Sequence, residues 1–181
     1  MKTNWILPAS MGCGLVALLL LIACLVWPER QSDGPKVDLE ASFQSAIARV
    51  KEGQSVITVT RPEHLVQLVE DPLARKNISY LAFSNVELKD ERFRRVNELP
   101  ELETLVFDNC RNMAGVLEAV RTVDHLRLLS FESSGPSGED LRALVELTQL
   151  ERIQFQDAMS FDEIESLRAL MPSVEIEWIR K

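Results

Sequence analysis

The side chains that could do covalent or acid–base chemistry are few and scattered. The chain has three cysteines, Cys13, Cys24 and Cys110, and two histidines, His64 and His125. Cys13 and Cys24 fall in an apolar N-terminal stretch, so Cys110 has no second thiol within the folded part for a disulfide, and no Cys/His spacing would hold a metal. Nucleophilic catalysis needs a base oriented at the nucleophile. Neither histidine has a serine or cysteine at a recognisable spacing. His64 begins a helix and His125 enters a strand, and both read as surface residues. Cys110 reads as a small buried hydrophobe. Gly135-Pro136-Ser137-Gly138 is not a G-x-S-x-G elbow and reads as a turn into a capped helix. Nothing in the sequence selects two of the 28 carboxylates as an acid–base pair. Asn77-Ile78-Ser79 is a formal glycosylation sequon, meaningful only in a eukaryotic secretory setting. The reading is therefore non-enzymatic, with no cofactor, no metal and no small-molecule substrate.

Charge excludes a further class. Lys2 is the only charged side chain before Glu29, and the remainder carries 19 basic against 28 acidic side chains, a net −9. Such a chain repels a phosphate backbone, and its basic residues are dispersed, so nucleic-acid binding is not expected.

Trp5 to Trp27 is almost uncharged, and Gly14 to Trp27 is apolar throughout. As a helix the segment spans about 33 Å at ~1.5 Å per residue, matching a hydrocarbon core of about 30 Å with an indole at each interface. Pro8 and Ser10 shorten its strongly apolar part to about 17 residues. Residues 1–27 are expected to anchor the protein in a membrane as a single pass, with residues 28–181 on the non-cytoplasmic side. Two alternatives stay open. One is a cleaved signal. The other is a lipoprotein, because Leu21-Ile22-Ala23-Cys24 resembles a lipobox that would lipidate Cys24. Residues 28–36 (PERQSDGPK) form a polar, helix-breaking linker.

The elements that follow are set by a repeat. Leu102-x-x-Leu105-x-Phe107-x-x-Cys110 has counterparts beginning at Ile78, Leu126 and Leu150, so the starts 78, 102, 126 and 150 advance by 24 each time. A fixed period of that length marks a stacked array of one strand-and-helix unit. Stepping back from Ile78 makes Ser55–Thr60 (SVITVT) a degenerate first strand, followed by a short helix over Glu63–Glu70 that Asp71-Pro72 stops. Ahead of it Asp38–Lys51 reads as an amphipathic capping helix, begun by Asp38 and ended by Gly53, with Leu39, Phe43, Ile47 and Val50 on one face.

Each later unit carries an apolar triplet at spacing 3: Phe93, Val96, Leu99; Leu117, Val120, Val123; Leu141, Leu144, Leu147. These predict helices packed back on the strands, capped by Asp90, by Asn112, and by Ser137 with Asp140. The last unit, Ile164, Leu167, Leu170 with Ser160 and Glu163, follows after a step of 23. A step of 23 also buries Ile176 and Trp178, whereas 24 would bury Glu177, an unpaired carboxylate.

L-x-x-L-x-F-x-x-C over roughly residues 54–181 resembles the leucine-rich repeat, in particular its ribonuclease-inhibitor-like and cysteine-containing kinds. The final Asn/Cys position holds Pro62, Val86, Cys110, Ser134 and Ala158, so one repeat has the consensus residue. The resemblance implies an α/β fold over 37–181: a short solenoid, parallel strands on its concave side and helices outside, capped by helix 38–52. It also implies protein binding.

If the motif residues point inward, the alternate positions form the other face of the sheet. There Tyr80, Val106 and Leu128 are apolar where solvent would favour polar residues, Asp108 lies beside Glu132, Thr104 and Arg152 flank them, and Glu175 and Glu177 end the array. An apolar strip with acidic edges suits a basic or amphipathic segment of a protein partner. The expected partner-binding residues are Tyr80, Thr104, Val106, Asp108, Leu128, Glu132 and Arg152. The alternative is a self-associating envelope protein without a dedicated ligand.

Overall fold

The computed structural model describes residues 38–179. The anchor expected over 1–27, the linker 28–36 and Cys24 lie outside the described residues. Among those described, no helix is long and apolar enough to cross a membrane.

The fold is α/β. Six strands, β1 (Val56–Val59), β2 (Tyr80–Ser84), β3 (Thr104–Asp108), β4 (Leu128–Glu132), β5 (Arg152–Gln156) and β6 (Glu175–Ile179), form one parallel sheet in sequence order. In the first four pairings the Cα partners differ by 24 in sequence number, as in Leu81 with Leu105 and Leu105 with Leu129. The last pairing steps by 23, placing Ile153 on Ile176 and Phe155 on Trp178 while Gln154 meets Glu177. The motif's inward positions carry the core. Phe83, Phe107, Phe131 and Phe155 are fully buried and stack strand to strand with ring centroids 6.0, 5.2 and 5.0 Å apart. Each such burial contributes on the order of 1.5–3 kcal/mol, and the offset stacking adds to it.

The connections are more varied than the apolar triplets predict. Helix α1 (Leu39–Lys51) is capped by Asp38, whose Oδ1 accepts the Glu40 and Ala41 amides at 3.0 and 3.2 Å, and Gly53 follows at φ +104°. Phe43, Ile47 and Val50 are buried, but Leu39, in the first turn, is exposed. Helix α2 (Pro62–Glu70) ends at Asp71, which also caps a further helix, α3 (Pro72–Asn77). The Asp71-Pro72 stop is thus also a start: proline suits the first helical turn, where its missing N–H is not needed.

Phe93 and Val96 of the first triplet lie in a 3-10 helix, Glu91–Glu98, with Leu99 just past its end; in the second, Leu117 lies in α4 (Ala114–Ala119) and Val120 in a 3-10 turn, Val120–Thr122, with Val123 just past it. Spacing 3 is the 3-10 period itself, in which residues i and i+3 eclipse, so these triplets are satisfied without a full α-helix. Asp90, Ser137 and Ser160 cap as expected, the last two through capping boxes with Asp140 and Glu163 on α5 (Gly138–Val145) and α6 (Phe161–Leu170). Asn112 does not. It sits at φ 58° and donates to Glu87 at 2.9 Å, and Met113 precedes α4 without a side-chain cap. Leu170 is 64% exposed; Met171, just past the end of α6, is buried in its stead.

His64 is buried, not a surface residue. It is 1% exposed, its ring stacks on Phe43 at 3.9 Å and joins α1 to α2, and Thr60 Oγ1 lies 3.4 Å from Nδ1. Glu40 is 3.5 Å from Nε2, but Nε2 makes no hydrogen bond, so this contact matters only for a protonated ring. Burial lowers the histidine pKa below its ordinary value, against the opposing pull of Glu40. The sequon asparagine, Asn77, donates its amide to Val50 O at 2.9 Å and ties α3 to the end of α1.

Candidate functional site

The chain alternation that buries Leu81, Phe83 and their counterparts turns the other side chains of each strand to the opposite face. The parallel register sorts them into three rows. Tyr80, Thr104, Leu128, Arg152 and Glu175 form the first, and Ala82, Val106, Ser130, Gln154 and Glu177 the second. Ser84, Asp108, Glu132 and Gln156 form the third. All seven residues expected at a binding surface therefore share one face.

The register sets Asp108 directly beside Glu132. Strands are about 4.8 Å apart, and like charges placed opposite each other disfavour the sheet. Asp108 Oδ2 accepts the Ser84 hydroxyl at 2.7 Å, which fixes its carboxylate without neutralising it. The Glu132 carboxylate has no hydrogen bond or ion pair with a described residue. The one basic side chain in these rows, Arg152, is committed elsewhere: its guanidinium lies 2.9 Å from Glu175 and 3.6 Å from Glu177.

Val106 departs from the expected exposed apolar strip. It is 4% exposed, and its row neighbour Ser130 is 6% exposed. Tyr80 and Leu128 are the half-buried apolar groups of the face. The Tyr80 phenol is held above its ordinary pKa first by burial and then by the charge of Glu132.

At the strand ends sequence reasoning missed a second periodicity. Asn85, Asn109, Ser133 and Asp157 all have positive φ, between 49° and 55°, and they too recur at steps of 24. Asn, Asp and Ser there are read as polar loop residues one at a time; aligned, they mark a left-handed turn that Asn and Asp tolerate best. Each donates its N–H to the last residue of the next strand, as Asn109 does to Glu132 O at 2.8 Å. The Asn109 amide also donates to Asn85 Oδ1 at 2.8 Å. This ladder runs one position before the motif's Asn/Cys site.

At that site a buried ladder also exists, although only Cys110 matches the consensus. Ser134 Oγ accepts the Cys110 amide at 2.8 Å and lies 2.9 and 3.0 Å from the Phe107 and Glu132 carbonyls. Cys110 is 2% exposed, its thiol reaches Phe83 O at 3.3 Å, and burial pushes its pKa up to about 11. A thiol so placed is a weak donor within the fold, not a nucleophile. His125 is exposed.

Comparison with protein-family models gives no match, and comparison with curated proteins gives none either.

Proposed function

We propose that this chain is a membrane-tethered leucine-rich-repeat module, a short solenoid that binds a protein partner through the sheet face opposite its helices and catalyses no reaction. The observation that carries this reading is the Asp108–Glu132 pair, set side by side by the register with no cation from the described residues between them. Two adjacent carboxylates cost stability unless something offsets them, and a basic segment of a partner does so while Tyr80 and Leu128 supply apolar contact. The 24-residue pairing and the phenylalanine stack support the repeat assignment. The tether is the apolar segment 5–27, or lipidated Cys24, with residues 28–181 on the non-cytoplasmic side. The test is capture of partners by the full-length protein and by an Asp108→Lys/Glu132→Lys variant. Loss of specific partners in the variant supports the proposal; an unchanged set, or no partner in either form, counts against it.

One feature favours a self-associating reading as second choice. Both edge strands, β1 and β6, end the sheet, and Val56 and Ile179 on them are exposed. Pairing of β6 with β1 of another copy would be head-to-tail and would grow open chains. Sedimentation over a hundredfold concentration range tests this: a constant monomer mass removes it.

A further inference from the structure

The two edges of the sheet differ in charge. β6 carries Glu175 and Glu177, and charged side chains keep an edge strand from pairing with another chain. β1, Val-Ile-Thr-Val, carries none. Tyr80 N–H donates to Ser55 O at 3.0 Å, so Ser55, Ile57 and Val59 turn their backbone groups to β2. Val56 and Thr58 turn theirs outward, where no described residue bonds them. Beside this edge runs a groove of about 430 Å³ whose other wall is α1. Leu39, Phe43 and Ala46 line it at helical spacing, and Phe43 is backed by the His64 ring stacked at 3.9 Å. Leu39 and Val56, 46% and 56% exposed, face each other across it. Arg49, whose carbonyl accepts the Gln54 N–H at 3.1 Å, also lines the groove and has no ion pair with a described residue.

We infer that the edge of β1 takes an extended segment of a protein partner as a further strand, with an acidic side chain of that segment on Arg49. This goes beyond the binding proposed for the open face and does not depend on it. Val56 and Thr58 offer their outward N–H donors and carbonyl acceptors to the segment's backbone, and its alternate side chains rest on Leu39 and Ala46. The guanidinium of Arg49 selects a carboxylate. A second copy of this chain fits less well. Its open edge is β6, where Glu175 is held by Arg152 at 2.9 Å and Glu177 by Gln154 at 2.6 Å, so both carboxylates are already engaged.

The probes are short fluorescent peptides of alternating valine and threonine with glutamate at both ends, the same with lysine at both ends, and the glutamate form N-methylated throughout. They are titrated against the full-length protein in detergent at matched salt. The wild type is expected to bind the glutamate peptide at least about fivefold more tightly than the lysine peptide, and at least about tenfold more tightly than the N-methylated one. Thr58→Pro removes an outward N–H that the native sheet does not use, a change edge strands tolerate, and should weaken binding at least about tenfold. Arg49→Glu, at an exposed position, should reverse the preference toward the lysine peptide. Folding of both variants is checked by circular dichroism, and if Thr58→Pro does not fold, the N-methylated peptide and Arg49→Glu decide. Binding that survives N-methylation or a folded Thr58→Pro, or a preference unchanged in Arg49→Glu, overturns the assignment. Absence of binding by the wild type also overturns it, and self-association in sedimentation that Thr58→Pro abolishes would then give the edge to a second copy.

Discussion

Ser134→Ala removes one buried oxygen and tests whether the ladder beneath the strand ends is part of what holds the units together. In the folded protein that oxygen accepts the Cys110 N–H at 2.8 Å and offers its proton to Phe107 O or Glu132 O. The Glu132 carbonyl keeps a partner in the variant, since Asn109 N–H also reaches it at 2.8 Å. The Cys110 N–H does not: both Cys110 and Ser134 are buried, so water has no route to it. An orphaned buried donor costs about 1–3 kcal/mol, against a net value near 1 kcal/mol for an ordinary hydrogen bond. We expect a loss of about 2 kcal/mol, read as a lowered urea midpoint at unchanged slope in far-UV circular dichroism of the full chain, and a Tm lower by roughly 3–9 °C. Two further variants sharpen the result. Ser134→Cys installs the thiol that the preceding unit uses at this position, where Cys110 makes longer contacts of 3.3 and 3.4 Å, and should fall between wild type and alanine. Ser130→Ala removes a hydroxyl that bonds no described residue and should cost under about 0.5 kcal/mol. If Ser134→Ala costs no more than Ser130→Ala, the ladder does not hold the units together.

The buried His64 makes stability depend on pH. Its folded pKa is lowered, so as pH falls below the unfolded value of about 6.5 the unfolded chain takes up a proton that the native ring resists, and stability declines. Between pH 7.5 and 5 the Tm should fall in the wild type and fall less in His64→Gln; an equal fall in both would refute this. Cys110, with its thiol raised to about 11 and shielded from solvent, should resist iodoacetamide at pH 8 in the native protein and react fully in urea, followed by mass spectrometry of its peptide. Native reactivity matching that in urea would place the thiol outside the core. Ser133 holds φ 49° where two other units have asparagine, so Ser133→Asn should stabilise by a few tenths to about 1 kcal/mol, and a lowered urea midpoint would contradict the turn assignment.

What can be read from the residues is the part governed by period. Leu105 and Phe107 repeat with their counterparts at steps of 24, and the step of 23 follows from the cost of burying Glu177; the strand register agrees with both. The face opposite the core follows from alternation alone, which brings Tyr80, Thr104, Asp108, Leu128, Glu132 and Arg152 onto one surface. Features set by local geometry or tertiary packing are harder to read. Spacing 3 does not separate a 3-10 turn from one stripe of an α-helix, so it leaves the helix type of Glu91–Glu98 undecided. Asp71 ends one helix and begins another, where its sequence neighbours signal only a stop. His64 is polar by type, and only the approach of Phe43 from α1 makes it a core residue. Val106 stands on the face opposite the motif residues and is nonetheless buried, which alternation within one strand does not contain. The left-handed Asn85, Asn109, Ser133 and Asp157 form a 24-residue series in the sequence, but their mixed identities hide it.

If the open face of the sheet meets a protein partner, a crosslinker placed on that face must capture it. Photocrosslinking from position 128, and separately from position 80, in the full-length protein in its native membrane makes this trial, with the crosslinked species identified by mass spectrometry. One protein should be recovered from both positions, joined through a basic segment, and lost when Asp108 and Glu132 are both changed to lysine. Crosslinks that are absent from both positions, or that persist unchanged in the lysine variant, would show that the face is not where a partner binds.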